Sequence, residues 1–262
     1  MGDTNNNEYL GALEIVAVID QRPSNNISAL PAQMGPVKEL TDHYIQFVSK
    51  TSGRDKLCRL IQYSSKFAWW YIQKSHYQAP LVQKLKLLDS SISTSRKMFR
   101  FGKSFELLNS TLKTLHVDDI VLRTLISLAK INNALYLLFD NLIWLDRVGM
   151  LKVNRSKISE LSAQFWLASI LCSIGRDFYQ LGCITNNTAM KNCSQLQLYV
   201  FSLLKNKPLL FDLIRNTTDL PLPMAMLHHV NLSPGVLGLL GMISSYIGIL
   251  TEWNPDYKIF PS

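Results

Sequence analysis

The sequence predicts an all-α fold, with amphipathic helices and a C-terminal helix embedded in a membrane. Apolar residues recur at helical spacing along most of the 262-residue chain. Hydrophobic residues make up 47% of the sequence and charged residues only 18%, below the roughly one quarter that is usual for soluble domains. Residues 220–251 contain no Asp, Glu, Lys or Arg. Together these observations favour a membrane-associated helical protein.

The chain divides into a short leader and one long helical domain. Residues 1–36 are rich in Asn and carry several prolines, which predicts a poorly ordered leader. Residues 37–262 are predicted to form a single helical membrane domain, with an Asn- and Thr-rich loop near 184–194. Near its start, Ser52 followed by Asp55 has the pattern of a capping box that opens a helix. The aromatic face of that helix suits either a protein core or a membrane interface.

The next segment, residues 81–103, is a basic amphipathic helix. On a helical projection its apolar residues form one narrow stripe, and its cations lie at the edges of that stripe or away from it. Such a helix is either a membrane-surface helix or a bundle helix with a solvated face. Its Ser- and Thr-rich centre is poor helix material, which predicts that lipid completes its folding. The residues predicted to bind the membrane are Leu81, Leu85, Leu88, Ile92, Phe99, Lys86, Arg96, Lys97, Arg100 and Lys103.

Two further apolar helices are predicted over residues 117–151 and 161–175. Asp118 and Asp119 mark the acidic first turn of the former. The uncharged runs within both are short for a bilayer span, so the sequence leaves open whether they cross, re-enter or lie in the membrane. Another amphipathic helix is predicted over residues 195–216.

The C-terminal segment, residues 234–251, has the composition of a membrane helix. Ser233 is a good N-cap, and Pro234 suits the first turn. The helix would be about 27 Å long, a marginal span of the hydrocarbon core. Small residues spaced four apart, such as Gly241 and Ser245, would let another helix approach closely. A helix buried in a protein core is the alternative.

No catalytic or metal-binding pattern accompanies these helices. The sequence has no nucleotide-binding loop, nucleophile elbow or zinc-protease motif. His228 and His229 are adjacent, so they would face different sides of a helix, and the cysteines match no zinc spacing. We therefore expect no enzyme activity, no cofactor and no metal. The net charge of +8 favours an acidic partner, and an anionic phospholipid surface suits the chain better than nucleic acid, for which no binding motif is present.

Six strings, in order, carry a resemblance to a known family. They are SGRDKLCRLIQYSSKF (52–67), SISTSRKMFRFGK (91–103), NNALYLLFDNLIWLDRVG (132–149), SIGRDFYQL (173–181), PLLFDLIRNTTDLPLP (208–223) and GVLGLLGMISSYIGIL (235–250). Their order and spacing resemble the peroxin-11 family, the peroxisomal membrane proteins that elongate the organelle before it divides. The resemblance runs from about residue 40 to 255 and is closer to the animal alpha/beta branch.

The resemblance implies an integral protein of the peroxisomal membrane, with its termini toward the cytosol. It implies self-association, and cooperation with a tail-anchored fission adaptor and a dynamin-like GTPase. It also implies that the amphipathic helix inserts into one leaflet and tubulates the membrane, promoting peroxisome fission. A channel or metabolite transporter is the alternative, because Arg123, Lys130 and Asp140 punctuate long apolar helices.

Overall fold

A computed structural model describes residues 34–75, 79–187 and 195–259, and within these ranges the chain is helical without β-strands, so the all-α prediction is confirmed. The helices are α1 (Met34–Ser49), α2 (Thr51–Lys74), α3 (Ala79–Phe99), α4 (Lys103–Thr114), α5 (Ile120–Val148), α6 (Arg155–Asn187), α7 (Gln195–Lys205), α8 (Lys207–Asp219), α9 (Pro221–Met226) and α10 (Pro234–Trp253), followed by a 3₁₀ turn at Pro255–Tyr257.

The chain forms two compact units, residues 1–44 and 45–262. In the first unit the described part is the beginning of α1, where the Thr41 hydroxyl donates to the Val37 carbonyl at 2.7 Å. The rest of the predicted leader, residues 1–33, lies outside the described residues. The second unit holds the end of α1 and all later helices, and every feature below lies within it.

Helices α5 and α6 form a long antiparallel hairpin. Gly149, with φ of 88°, ends α5 in the left-handed conformation that glycine adopts without strain. Across the hairpin, Tyr136 stacks on Trp166 with ring centroids 5.3 Å apart, and Phe139 stacks on Phe165 at 5.5 Å. At the other end of α5, Asp119 lies at the N-cap, just before the first turn in which it was predicted, and accepts from the Val121 amide at 2.8 Å.

Helix α10 packs closely and antiparallel against α2. A Cβ atom added to Gly238 would lie 2.8 Å from the Phe67 backbone nitrogen, and one added to Gly241 would lie 2.3 Å from the Tyr63 ring. These contacts require glycine, which confirms that small residues on this helix permit close approach. Ser233 caps α10 as predicted, accepting from the Val236 amide at 3.3 Å.

Several predicted boundaries were wrong, for local reasons. The helix predicted over 81–103 ends at Phe99, because the chain turns at Gly102, where φ is 78°, and α4 begins at Lys103. The helix predicted over 195–216 is also two, broken at Asn206 before Pro208, which has no N–H to donate. Helix α6 continues to Asn187, inside the predicted loop, and residues 188–194 are outside the described ranges.

The capping box predicted at the start of α2 was also wrong. Lys50 occupies the N-cap position and makes no side-chain cap. The Ser52 hydroxyl instead donates to Glu252 at 2.9 Å, and Asp55 accepts from Arg96 at 2.9 Å. Ser52 and Asp55 therefore bind residues that are distant in sequence and do not form the local hydrogen bonds of a capping box.

Polar residues are buried and large apolar residues are exposed on the long helices. Three of them, α5, Arg155–Asn186 of α6, and α10, are long and apolar enough to cross a membrane. Leu138, Leu171 and Phe178 lie on their exposed surface, whereas Asp140 and Asp177 are buried. This is the reverse of a water-soluble bundle and suits a surface that faces lipid.

Candidate functional site

The outer surface of α3 presents the predicted apolar stripe. Leu81 and Leu88 are 38% and 42% exposed, and Leu85, Ile92 and Phe99 are half-buried beside them. Leu87 and Met98 are also exposed, but they lie about 100–120° around the helix from the stripe, and exposed Lys84 lies between. The stripe therefore forms one partly exposed apolar edge of α3.

The inner face of α3 is polar and packs against α2. Val82, Asp89 and Arg96 are buried, and their seven-residue spacing places them in one line along the helix. Arg96 donates to Asp55 at 2.9 Å and to the Gln62 side-chain oxygen at 2.8 Å, while Lys66 reaches Asp89 at 3.7 Å. The Ser- and Thr-rich centre of the segment is helical in this setting.

Past the end of α3, a second set of ion pairs joins this segment to α5. The Arg100 guanidinium donates to Asp140 at 2.8 Å and to the Tyr136 hydroxyl at 2.8 Å, and the Lys97 ammonium also contacts Asp140. Asp140 is only 4% exposed, so it faces protein and not the surrounding medium. A single buried carboxylate thus holds two cations of the predicted membrane-binding set.

The structure separates the predicted membrane-binding residues into two groups. The apolar ones and Lys86 lie on the outer surface, where the Lys86 ammonium sits 4.7 Å from the centre of the Trp69 ring. Arg96, Lys97, Arg100 and Lys103 line a buried cavity instead. A solvated basic face on this helix, as the projection suggested, is therefore not what the fold contains. The membrane-binding role of the ten residues stays a prediction.

The cavity has a volume of about 530 Å³ and is lined by residues of α2 to α6 and of α8 to α10. Three aspartates line it, namely Asp55, Asp140 and Asp219. Cations outnumber them: the lining cations are Lys56, Arg59, Lys66, Arg96, Lys97, Arg100, Lys103 and Arg215. A volume of this size is typical of a small-molecule site.

Burial and crowding of like charges shift the acid–base properties of the lining. Burial alone would raise the pKa of Asp55, but Arg96 and Arg100 outweigh it, and the pKa lies below its usual value. Burial lowers the pKa of Lys97 to about 7, and repulsion from Arg100, Arg147 and Arg96 adds to that shift. The cavity is therefore a place where positive charge is costly and a negative group is favoured.

Helix α10 supplies the wall opposite these cations with small hydroxyl residues. Ser244 and Ser245 are each 1% exposed. The Ser245 hydroxyl donates to the Gly241 carbonyl at 2.5 Å, whereas the Ser244 hydroxyl has no hydrogen-bond partner among the described residues. Most buried hydroxyls are paired, so this one is an exception that needs a reason.

A second buried polar cluster, which the sequence analysis did not identify, joins α6 to α8. Arg176 donates to Asp177 at 2.7 Å and also contacts Asp212, and the Asn216 amide donates to Asp177 at 2.9 Å. The sequence did contain a signal for this cluster, because charged residues inside long apolar helices usually pair with one another. Since all its members are paired with each other, this cluster serves to hold α8 against α6.

The side chains gathered in this site are suited to binding. Within the described residues no group of three His, Cys, Asp or Glu side chains is arranged to hold a metal ion. The two histidines considered as a metal pair follow α9, where His228 has a φ of 59°. What the arrangement offers is an apolar outer surface for lipid and a cationic interior for an anion.

Comparisons with known proteins agree with this picture. Residues 41–253 match the family model described as Peroxisomal biogenesis factor 11 (PEX11). The chain is 30% identical to Peroxisomal membrane protein 11A of Homo sapiens over 243 residues, covering 83% of this chain and 98% of the relative. It is 27% identical to human Peroxisomal membrane protein 11B, covering 84% and 100%. It is 31% identical to Peroxisomal membrane protein PMP30B of Candida boidinii, covering 80% and 93%. No solved structure matches the chain.

Proposed function

Because this chain belongs to the Peroxisomal biogenesis factor 11 (PEX11) family, we propose that it elongates and tubulates the peroxisomal membrane and promotes peroxisome fission and proliferation. The observation that carries the proposal is the exposed apolar edge of α3. Fully burying a large apolar side chain is worth about 1.5–3 kcal/mol, so immersing this edge in one leaflet is favourable. A wedge in one leaflet expands it relative to the other and favours curvature.

The tertiary structure supports such a wedge in a further way. Ion pairs fix the helical segment α3 against its neighbours: Arg96 pairs with Asp55 of α2, and Arg100 pairs with Asp140 of α5. Insertion therefore does not carry the backbone-ordering cost of about 1–2 kcal/mol per residue that a free peptide would meet. Arg96, Lys97 and Arg100 are already paired with carboxylates. The exposed Lys84 and Lys86 therefore provide the attraction to anionic headgroups.

Tubulation by the full-length protein in anionic liposomes tests the proposal. Leu81→Glu with Leu88→Glu changes two exposed residues, so it places charge on the wedge without entering the interior. We expect tubules, counted by electron microscopy, to be lost. Gln83→Glu with Ser90→Glu is the matched control, because these exposed residues of the same helix lie away from the stripe. Equal tubulation by the two double variants would reject the wedge.

A second candidate function is passage of solutes across the membrane, and the cavity favours it. Of the three residues that suggested a conduction path, Asp140 lines the cavity, whereas Lys130 instead directs its ammonium toward the Ser110 carbonyl at 3.4 Å. Flux of a small solute through reconstituted protein should change in Asp140→Asn. Asp146→Asn, on the same helix but outside the cavity, should leave flux unchanged. An electrically silent and solute-tight bilayer would exclude this function.

We extend the proposal to topology and partners. An integral protein whose termini both face the cytosol must cross the membrane an even number of times. Helices α5 and α6 have the more exposed apolar windows, 17% and 22% buried against 44% for α10, which favours them as the crossing pair. Protease protection of tags at both ends, in sealed peroxisomes, should find both tags accessible. One protected tag would require an odd number of crossings and would contradict α5 and α6 as the crossing pair.

The proposal also includes self-association and cooperation with a fission adaptor and a dynamin-like GTPase, which the family resemblance implies. Cross-linking of differently tagged copies in peroxisomal membranes tests the first. Co-purification of the adaptor and the GTPase with the cross-linked protein tests the second, and their absence from material that still tubulates membranes would remove them from the mechanism.

A further inference from the structure

We infer that the buried cavity is a binding site for a phosphate-bearing anion, held by cations from α2, α4 and α8 and by the Ser244 hydroxyl of α10. The inference does not depend on membrane remodelling, because the α3 side chains that line the cavity, such as Arg96 and Lys97, are not those of the apolar edge. Phosphate is the class of ligand that clustered Arg and Lys side chains bind best, through charge-assisted hydrogen bonds.

The charges around the cavity do not balance. Seven of its eight cations reach a carboxylate within 4 Å, and Lys103 reaches none among the described residues. Those seven share six carboxylates, since Lys97 and Arg100 both bind Asp140. Lys103 is therefore left over, and Lys97 adds to the excess only in part, because its pKa is about 7. Asp212, which pairs with Arg215, also serves Arg176. A cation without a partner in a half-buried site costs free energy, and a bound anion would neutralise it.

Lys103, the cation without a carboxylate partner, acts on a cation that already has one. Lys56 pairs with Glu252 at 2.8 Å, and its side chain lies next to Gly248 on α10. Its pKa is lowered, mainly by burial, and the charges of Arg215 and Lys103 contribute to that shift. Lys56 of α2 is therefore close enough to Arg215 of α8 and to Lys103 of α4 to be repelled by both. An anion placed between them would replace that repulsion with attraction.

The unpartnered hydroxyl is the second, independent observation. Ser244 is 1% exposed and lines the cavity, yet its Oγ has no partner among the described residues. A hydroxyl can donate to a phosphate oxygen, which would satisfy it. The cavity volume of about 530 Å³ leaves room for more than a phosphate group alone. A lipid headgroup and a free phosphate present the same chemistry here, and the experiment must distinguish them.

Binding is measured on the full-length protein in nanodiscs, at constant ionic strength so that general screening does not change. In the first arm the nanodiscs contain phosphatidylcholine only, and inorganic phosphate is titrated by calorimetry. In the second arm the buffer is phosphate-free, the nanodiscs contain phosphatidic acid, and native mass spectrometry counts the lipid retained. Saturable binding in the first arm identifies a soluble anion, and one retained lipid in the second identifies a headgroup. Absence of binding in both arms overturns the inference.

Three variants show whether binding occurs in the cavity. Lys103→Gln removes the cation without a carboxylate partner and should weaken binding roughly tenfold or more. Lys113→Gln makes the same change at an exposed position of the same helix and should have no effect. Ser244→Ala removes an unpaired hydroxyl, which by itself does not destabilise the fold, so weaker binding in this variant reports contact with the ligand. Binding as tight as the unaltered protein's in both Lys103→Gln and Ser244→Ala overturns the inference.

Discussion

The outer and inner faces of α3 carry opposite kinds of residue, and the same contrast extends along α5, α6 and α10. Leucines such as Leu81 and Leu88 lie outside, whereas Asp89 and Arg96 lie inside. In water the cost of burying charges would favour the opposite arrangement. The contrast indicates that the outer surface is solvated by lipid and that the polar interior is held together by ion pairs. It also means that inner and outer substitutions should act on different properties.

The largest effect on stability is expected from Asp140→Ala, at the centre of the inner network. It leaves Lys97 and Arg100 buried without their carboxylate. Breaking a buried ion pair on one side typically costs about 3–5 kcal/mol. Thermal unfolding in nanodiscs should show a large drop in melting temperature. Asp146→Ala on the same helix, whose partner Arg155 is 59% exposed, should lower the melting temperature much less. Similar losses in both variants would argue against a polar interior.

Two neighbouring leucines of α5 allow a direct comparison of its inner and outer faces. Leu137 is 4% exposed and Leu138 is 36% exposed. Leu137→Ala leaves a cavity between helices and should cost roughly 2–5 kcal/mol of unfolding free energy. Leu138→Ala only exchanges contacts with lipid or detergent, so it should change stability by less than about 1 kcal/mol. If the order of the two losses were reversed, the assignment of inner and outer faces on α5 would be wrong.

A smaller loss is expected where α10 approaches α2. Gly238→Ala places a Cβ atom 2.8 Å from the Phe67 backbone nitrogen, which cannot move aside as a flexible side-chain end could. Overpacking of this kind typically costs about 1–3 kcal/mol. Gly182→Ala, where nothing lies within 4 Å of the new atom, should be neutral or stabilising by up to about 1 kcal/mol. Thermal unfolding of the pair measures both, and an unchanged Gly238→Ala would show that the two helices are not in close contact.

The smallest effect on stability should come from Leu81→Glu with Leu88→Glu on the outer edge of α3. Exposed substitutions usually change stability by within about 0.5 kcal/mol. The melting temperature in detergent should therefore stay close to that of the unaltered protein while tubulation is lost. A large drop in melting temperature would mean that this edge packs against protein, and lost tubulation would then no longer indicate a wedge.

The sequence predicted much of the fold because local physical signals coincide with the helices. Periodic apolar residues located the helices, and Asp119 and Ser233 marked two of their starts correctly. Predictions that depended on distant partners failed. Ser52 and Asp55 form a capping box in pattern, but Glu252 and Arg96 bind them, about 200 and 40 residues away. Sequence spacing contains no information about partners at such separations.

The candidate site was only half predictable for the same reason. The stripe of Leu81 and Leu88 was identifiable because helical geometry alone determines which residues share a face. The inward position of Arg96, Lys97 and Arg100 was not identifiable. A helical projection separates the apolar face from the basic face, but it does not show which face packs against the rest of the protein. In a lipid environment the apolar face can be the outer one, and the basic face then needs buried acids such as Asp140.

By itself, then, the sequence determined the helical class, the apolar segments long enough to meet a membrane and the family to which the chain belongs. These follow from composition, period and the order of short strings. Only the tertiary structure decided which face of α3 is inside, because that depends on Asp55 and Asp140 arriving from other helices. It alone brought eight cations around one cavity and left Ser244 facing them without a partner. Charge balance is a property of the packed assembly, so no single segment of the chain could have revealed it.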